Sequence, residues 1–283
     1  MSPKTSLACF GAFAAAAAFA GTAFAAEPAP TPPPPPVFTW TGLYVGGQIG
    51  YAWSTDNIIY YSAFDPLTGL VFTPNVYNTP SGVIGGAHIA FNYQIDKPGG
   101  GFVIGVEGSV DGASLRNTAA AGFGAFGGTT VSASTSSDIQ GSVRGRFGIA
   151  WGQFMIYATG GVAWGGFNTS FSVAGNSTRL AAFDGGAPFF GSTNLSNTRV
   201  GWTGGGGVTD AITDNWIVFV EYRYTDFGDI YNTFLATPAF TTLPGLRGGA
   251  LLATHALNEN LVQVGFSYKF DINAPNPEWF SVF

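Results

Sequence analysis

Leu261-Val262-Gln263-Val264-Gly265-Phe266-Ser267-Tyr268-Lys269-Phe270 alternates without a break. Val262, Val264, Phe266, Tyr268 and Phe270 fall on one side, and Gln263, Gly265, Ser267 and Lys269 on the other. A period of two puts one greasy and one wet face on a β-strand. Ten such residues ending in aromatics match a strand that crosses an outer membrane, greasy side to lipid and polar side to the lumen.

The same pattern recurs seven times upstream, at 43–53, 83–94, 102–111, 139–151, 154–164, 199–209 and 216–225. The connections at 95–101, 152–153 and 213–215 are tight turns, as hairpins require. Those at 55–81, 112–137, 165–198 and 226–260 are long and polar and are expected to be loops. Short and long alternate strictly. The predicted fold is therefore all-β: a transmembrane eight-stranded antiparallel up-and-down β-barrel with short periplasmic turns, four long extracellular loops and both termini periplasmic. Outward aromatics form two predicted girdles. Tyr51, Trp53, Trp164, Trp202, Tyr222 and Tyr224 sit near the outer rim. Phe91, Tyr93, Phe102, Trp151, Phe154, Trp216, Tyr268 and Phe270 sit near the periplasmic rim.

Composition agrees. The chain of 283 residues has 9% charged residues, against roughly 25% in a soluble domain. Beyond the leader no stretch reaches the roughly 18 continuous apolar residues of a membrane helix. Residues 1–25 read as a signal peptide, with Lys4, an Ala-rich apolar run and Ala23-Phe24-Ala25 as the cleavage site. Cys9 lies within it, so the mature chain has no thiol chemistry. Residues 26–37 are a Pro-rich periplasmic linker, 38–270 the barrel, and 271–283 a C-terminal extension. The net charge of −6 argues against a nucleic-acid partner. The expected partners are outer-membrane lipid and lipopolysaccharide and the barrel-assembly machinery; the oligomeric state is not set by the sequence.

Phe38-Thr39-Trp40-Thr41-Gly42-Leu43-Tyr44-Val45-Gly46-Gly47 resembles the opening of the small outer-membrane barrels of alphaproteobacteria, the porin-family or outer-membrane immunogenic protein group. Four further stretches are similar: Gly141-Ser142-Val143-Arg144-Gly145-Arg146, Tyr157-Ala158-Thr159-Gly160-Gly161-Val162-Ala163, Gly201-Trp202-Thr203, and Ile212-Thr213-Asp214-Asn215-Trp216 leading into Glu221-Tyr222-Arg223-Tyr224-Thr225-Asp226-Phe227-Gly228. The resemblance implies a Gram-negative outer membrane, an OmpA-like barrel and surface exposure, and it fixes no molecular activity. Two departures stand out. Asp210 occupies the place of an aromatic closing the sixth strand, so pairing is expected to falter there. The assembly signal of such barrels usually ends the chain; here it is either read internally at Phe266, Tyr268 and Phe270 or supplied by 279–283.

The inward charges are the one polar constellation: Glu107, Asp111, Arg144, Arg146, Glu221, Arg223 and Lys269, with His88. Buried charges must be paired or solvated. They are expected either to fill the narrow lumen as a salt-bridge network or to line a gate for small solutes. His88 is followed by Ile89-Ala90 and His255 by Ala256-Leu257, so neither offers an adjacent serine nucleophile. His88 is expected to be a hydrogen-bonded lumen residue and His255 a loop residue. No enzyme activity, cofactor or metal is expected. Tyr60, Tyr61, Phe64, Phe72, Phe123, Phe126, Phe189, Phe190, Phe234 and Phe240 fall in the long connections. They suit either loop packing or a ligand surface for haemin or host contact. The leading reading is a structural barrel whose loops form the cell-surface face; a small-solute porin and a surface ligand protein are the alternatives.

Overall fold

The alternation becomes eight long strands in a closed ring. A computed structural model describes residues 38–55, 58–64, 71–73, 75–97, 100–123, 129–176, 188–235 and 250–271. The expectations for 1–25, for 26–37 and for all of 271–283 except Asp271 lie outside them. The elements are β1 (Gly42–Trp53), β2 (Ile58–Phe64), β3 (Val71–Phe72), β4 (Asn75–Tyr77), β5 (Ser81–Lys97), β6 (Gly100–Phe123), β7 (Thr129–Trp151), β8 (Phe154–Asn176), β9 (Pro188–Ala211), β10 (Trp216–Leu235) and β11 (Ala250–Phe270). Every pairing is antiparallel, and β1 pairs with both β5 and β11, which closes the ring. Closure removes the edges of the eight-stranded ring where β1 runs, the condition for crossing hydrocarbon with strands.

The inward and outward faces follow the sequence reading. Val45, Ile49, Ile89, Val106, Phe147, Val162, Val220, Val264 and Phe266 are exposed on the outside. Gln48, His88, Glu107, Arg144, Glu221 and Lys269 are buried inside. Both aromatic girdles are present, with Trp202 against Tyr224 at one rim (5.4 Å between ring centroids) and Trp216 against Tyr268 at the other (5.4 Å).

The long connections are not loops throughout. Strands β6 to β11 run far past the predicted ends, and β2, β3 and β4 occupy part of the first connection, with β2 pairing β11 where β1 has stopped. The reason is a change of polarity with height. Along β8, Ile156, Val162 and Trp164 face out and Tyr157 and Thr159 face in; farther along, Asn168, Ser170 and Ser172 face out and Phe167, Phe171 and Val173 face in. The wall leaves the lipid and becomes a water-soluble sheet packed around its own apolar core of Ile59, Tyr61, Val76, Val131, Ala133, Phe171, Val173 and Ala253. Register shifts in β6 (Gly112/Leu115), β7 (Ser137/Gln140) and β10 (Asp226/Asp229) mark the change. In the last, Gly228 takes φ 76°, and its N–H donates to Asp226 Oδ1 at 2.8 Å. A membrane needs about 9–11 residues of each strand, so roughly half of the 23-residue β8 stands beyond it.

Asp210 does not interrupt pairing. It sits opposite Phe154 and Val218, and β9 continues to Ala211. Its side chain is exposed near the turn end, where a carboxylate remains in water. Of the aromatics in the long connections, Tyr61 is buried, as packing would have it, whereas Tyr60 and Phe190 are exposed. The remaining aromatics of that set have side chains outside the description.

Candidate functional site: the barrel lumen

The lumen is layered. At the turn end Trp40, only 1% exposed, folds across the opening and packs with Tyr44, Ala90, Val103, Ala150, Met155 and Ile217. Its indole N–H donates to the Gly152 carbonyl (3.0 Å), its backbone N–H donates to Gln94 Oε1 (2.7 Å), and its carbonyl accepts from Tyr44 O–H (2.7 Å). Lys269 belongs to this floor. Its ammonium lies 2.7 Å from Asp271 and over the Phe38 ring at 4.8 Å, apart from the other charges.

The second layer is ionic. Arg144 bridges Glu107 and Glu221, and Arg146 also holds Glu107. Tyr157 O–H and the Gln263 amide both donate to Glu221, at 3.0 and 3.1 Å. Arg146 stacks over the Tyr157 ring at 4.4 Å. Arg223 lies 3.9 Å from Asp111, and the Gln48 amide donates to Asp111 Oδ1 at 2.5 Å. Gln140 donates to Glu259 at 2.6 Å. Glu107 stands directly opposite Arg144 across the β6–β7 ladder, so strand register alone makes that pair.

Glycines create room for these long side chains to lie flat against the wall. Gly46 stands between His88 and Ser267, and a Cβ there would meet the His88 ring. Across it His88 Nε2 reaches Ser267 Oγ at 2.8 Å, while Nδ1 meets Gln48 Oε1 at 2.6 Å. Gly207 likewise lets Tyr157 pass to Glu221, with a Cβ only 2.8 Å from the phenol oxygen.

The structure thus gathers Glu107, Arg144, Arg146 and Glu221 into one cluster, and Asp111, Arg223 and His88 into a neighbouring one joined through Gln48. Sequence reasoning missed Glu259, which fell inside a predicted loop, and the Ser267–His88 contact, which spans 179 residues. It also gave no lumen role to Trp40. Phe266, Tyr268 and Phe270 lie on the outward side of β11. Among the described residues no group of three or more His, Cys, Asp and Glu is placed to hold a metal.

Above the ions the lumen closes again, first with Ala52, Ile84, Leu115 and Leu261 and then with Ala163, Phe167, Phe227, Ile230 and Leu257. A void of about 10 Å³ beside Thr135, Phe167 and Glu259 has room for one water at most. A groove of about 750 Å³ lies at the wall, lined by the outward-facing Ile49, Val208, Val218, Val220, Val264 and Phe266 and by the inward-facing Gln48, Thr209 and Phe219.

His255 is not a loop residue. It lies in β11 beyond the lipid-facing stretch, 1% exposed, and neither ring nitrogen has a hydrogen-bond partner among the described residues. Burial pushes its pKa from 6.5 down to about 4, against the opposing pull of Asp229. The unfolded chain then binds the proton better than the native one. Stability is fully present above pH 6.5 and falls as pH drops toward 4, by up to about 3 kcal/mol. The thermal midpoint of the folded barrel is expected to fall over that window, and His255→Leu to flatten the fall; parallel curves would show that another group titrates.

The family model described as "Outer membrane protein beta-barrel domain" matches residues 5–270. The 31 kDa outer-membrane immunogenic protein of Brucella melitensis is 31% identical over 239 residues, covering 82% of this chain and 85% of its own. Among solved structures, the outer-membrane protein OprG of Pseudomonas aeruginosa is 14% identical, covers 81% of this chain and 96% of its own, and has a TM-score of 0.43. The outer-membrane protease OmpT of Escherichia coli is 7% identical, covers 84% and 99%, and has a TM-score of 0.38. The closed ring, the two aromatic girdles and the match over nearly the whole chain place this protein in the outer-membrane β-barrel protein family.

Proposed function

We propose that this protein is a sealed, non-conducting barrel that serves the outer membrane as a structural and surface element. The observation that carries the reading is the lumen itself. An apolar floor under Trp40, a layer of paired charges and an apolar upper core succeed one another along the axis. An ion would have to displace side chains at each layer, because an eight-stranded interior is just wide enough for side chains to fill. The short turns support a periplasmic turn end, and the long strands with their polar outer face support a cell-surface end. A relative named for immunogenicity suits such exposure. The outward Phe266, Tyr268 and Phe270 are proposed as the signal read by the assembly machinery.

Planar-bilayer recording of the refolded mature chain tests the reading. A silent membrane, with folding verified by heat-modifiable gel mobility, is expected. Reproducible steps that vanish on Glu107→Gln or Arg144→Gln would replace it with the pore.

An enzymatic role is disfavoured by the surroundings of Ser267. The Gln48 amide donates to Asp111, so its oxygen accepts from His88 Nδ1–H, and Nε2 accepts from Ser267 O–H. That polarity matches an activated serine, but the orienting group is a neutral amide and the serine is enclosed between floor and upper core. A fluorophosphonate probe should leave Ser267 unmodified in the folded protein; stoichiometric labelling would support a serine hydrolase instead.

A further inference from the structure

Beyond the outer aromatic girdle, β6–β9 present one outward face with an ordered composition. The registers align three rows across four strands: Arg116, Ser136, Asn168 and Ser196; Thr118, Ser134, Ser170 and Asn194; Ala120, Ser132, Ser172 and Ser192. Every position but Ala120 carries a hydroxyl, an amide or a guanidinium. Strand spacing of about 4.8 Å and a same-face repeat of about 6.7 Å make this a grid roughly 14 Å by 13 Å. Thr118 donates to Ser134 at 3.0 Å, and Ser132 and Ser172 share a hydrogen bond of 2.6 Å. These contacts fix rotamers while each hydroxyl keeps further lone pairs for a ligand.

Strand propensity does not explain the grid, since Ser and Asn are not the residues that pleated surfaces favour. Nor does the general character of this end of the barrel. Elsewhere at this end β2, β4 and β10 expose Tyr60, Tyr77 and Tyr231 beside Asn75 and Asp229, and Phe190 of β9 is exposed in the row beyond the grid. A phosphate-rich surface would call for several Lys and Arg, and a protein-binding core for aromatics and Met. Donors and acceptors with one formal charge, on Arg116, are complementary to sugar hydroxyls, which are both donors and acceptors.

Position selects the source of the sugar. On β8 the first grid residue, Asn168, is two outward positions past the girdle residue Trp164. It lies about 13 Å farther along the strand, roughly 10 Å in height for a strand tilted by about 40°, and tryptophan marks the headgroup level. Arg116 is the single cation of the grid. We infer that this face of β6–β9 docks the saccharide portion of lipopolysaccharide in the outer leaflet. The inference rests on the orientation proposed above and is independent of whether the lumen conducts.

The test is amide hydrogen exchange at 130–136 and 168–172 in the mature protein. It is refolded into phospholipid vesicles alone, with complete lipopolysaccharide, with lipid A lacking further sugars, or with the soluble saccharide released from it. Roughly tenfold slower exchange with complete lipopolysaccharide is expected, with lesser protection by the soluble saccharide at matched concentration and none by lipid A. The combined Ser134→Val, Ser170→Val and Ser172→Val variant, which retains strand propensity, should lose that protection, and Tyr60→Ser with Tyr231→Ser should keep it. Equal protection by lipid A, or protection that survives the triple variant, would overturn the proposal. A protease site inserted at 124–128 reports orientation separately on intact cells. Cleavage from outside without saccharide protection removes this inference and leaves the orientation standing; cleavage only after lysis removes the orientation.

Discussion

Arg144→Met is expected to cost the folded barrel about 3–5 kcal/mol, the range for removing one partner of a buried ion pair. Arg144 is 1% exposed and serves two carboxylates from opposite parts of the wall, Glu107 on β6 and Glu221 on β10. Without it both remain buried, and Glu107 keeps Arg146 while Glu221 keeps only the neutral donors Tyr157 and Gln263. The combined Glu107→Gln, Arg144→Met and Glu221→Gln variant should recover most of the loss, because the cost is that of uncompensated charge rather than of lost volume. Urea-dependent refolding read by gel mobility separates the two. A single variant as stable as the parent would mean that water solvates the site and the layer is open.

The second large effect is expected at the floor. Trp40→Ala removes a wholly buried indole and its bond to the Gly152 carbonyl, at about 3–5 kcal/mol for the side chain. Trp40→Phe should retain most of the packing and lose about 1 kcal/mol with the hydrogen bond. Bilayer conductance of Trp40→Ala should stay at baseline, since the ionic layer and the upper core still block the axis. Conductance from this variant alone would make Trp40 the barrel's principal seal. Equal stability of all three proteins would show that the turn end is closed by something else.

The strand faces were legible because the requirement is local. Lipid on one side and a packed polar lumen on the other impose a period of two, and the chain states it at Val262 to Phe270 and seven times more. The height of the barrel was not legible, although the signal was present: Val131-Ser132-Ala133-Ser134 and Phe167-Asn168-Thr169-Ser170-Phe171 also alternate. Their apolar members point inward, so the outer face turns polar, and a search for lipid-facing strands passes over them as loop.

The sequence by itself determined the fold class, the lumen-facing charges and the alternation of short and long connections, because each follows from the environment of single residues along one strand. Only the tertiary structure decided who meets whom. Closing the ring brings Arg144 to Glu221 over 77 residues and His88 to Ser267 over 179, and it folds Trp40 beneath the lumen. The offset of each strand against its neighbour sets those contacts. That offset is a property of the closed sheet, fixed by the sum of all the pairings, and no single strand carries it.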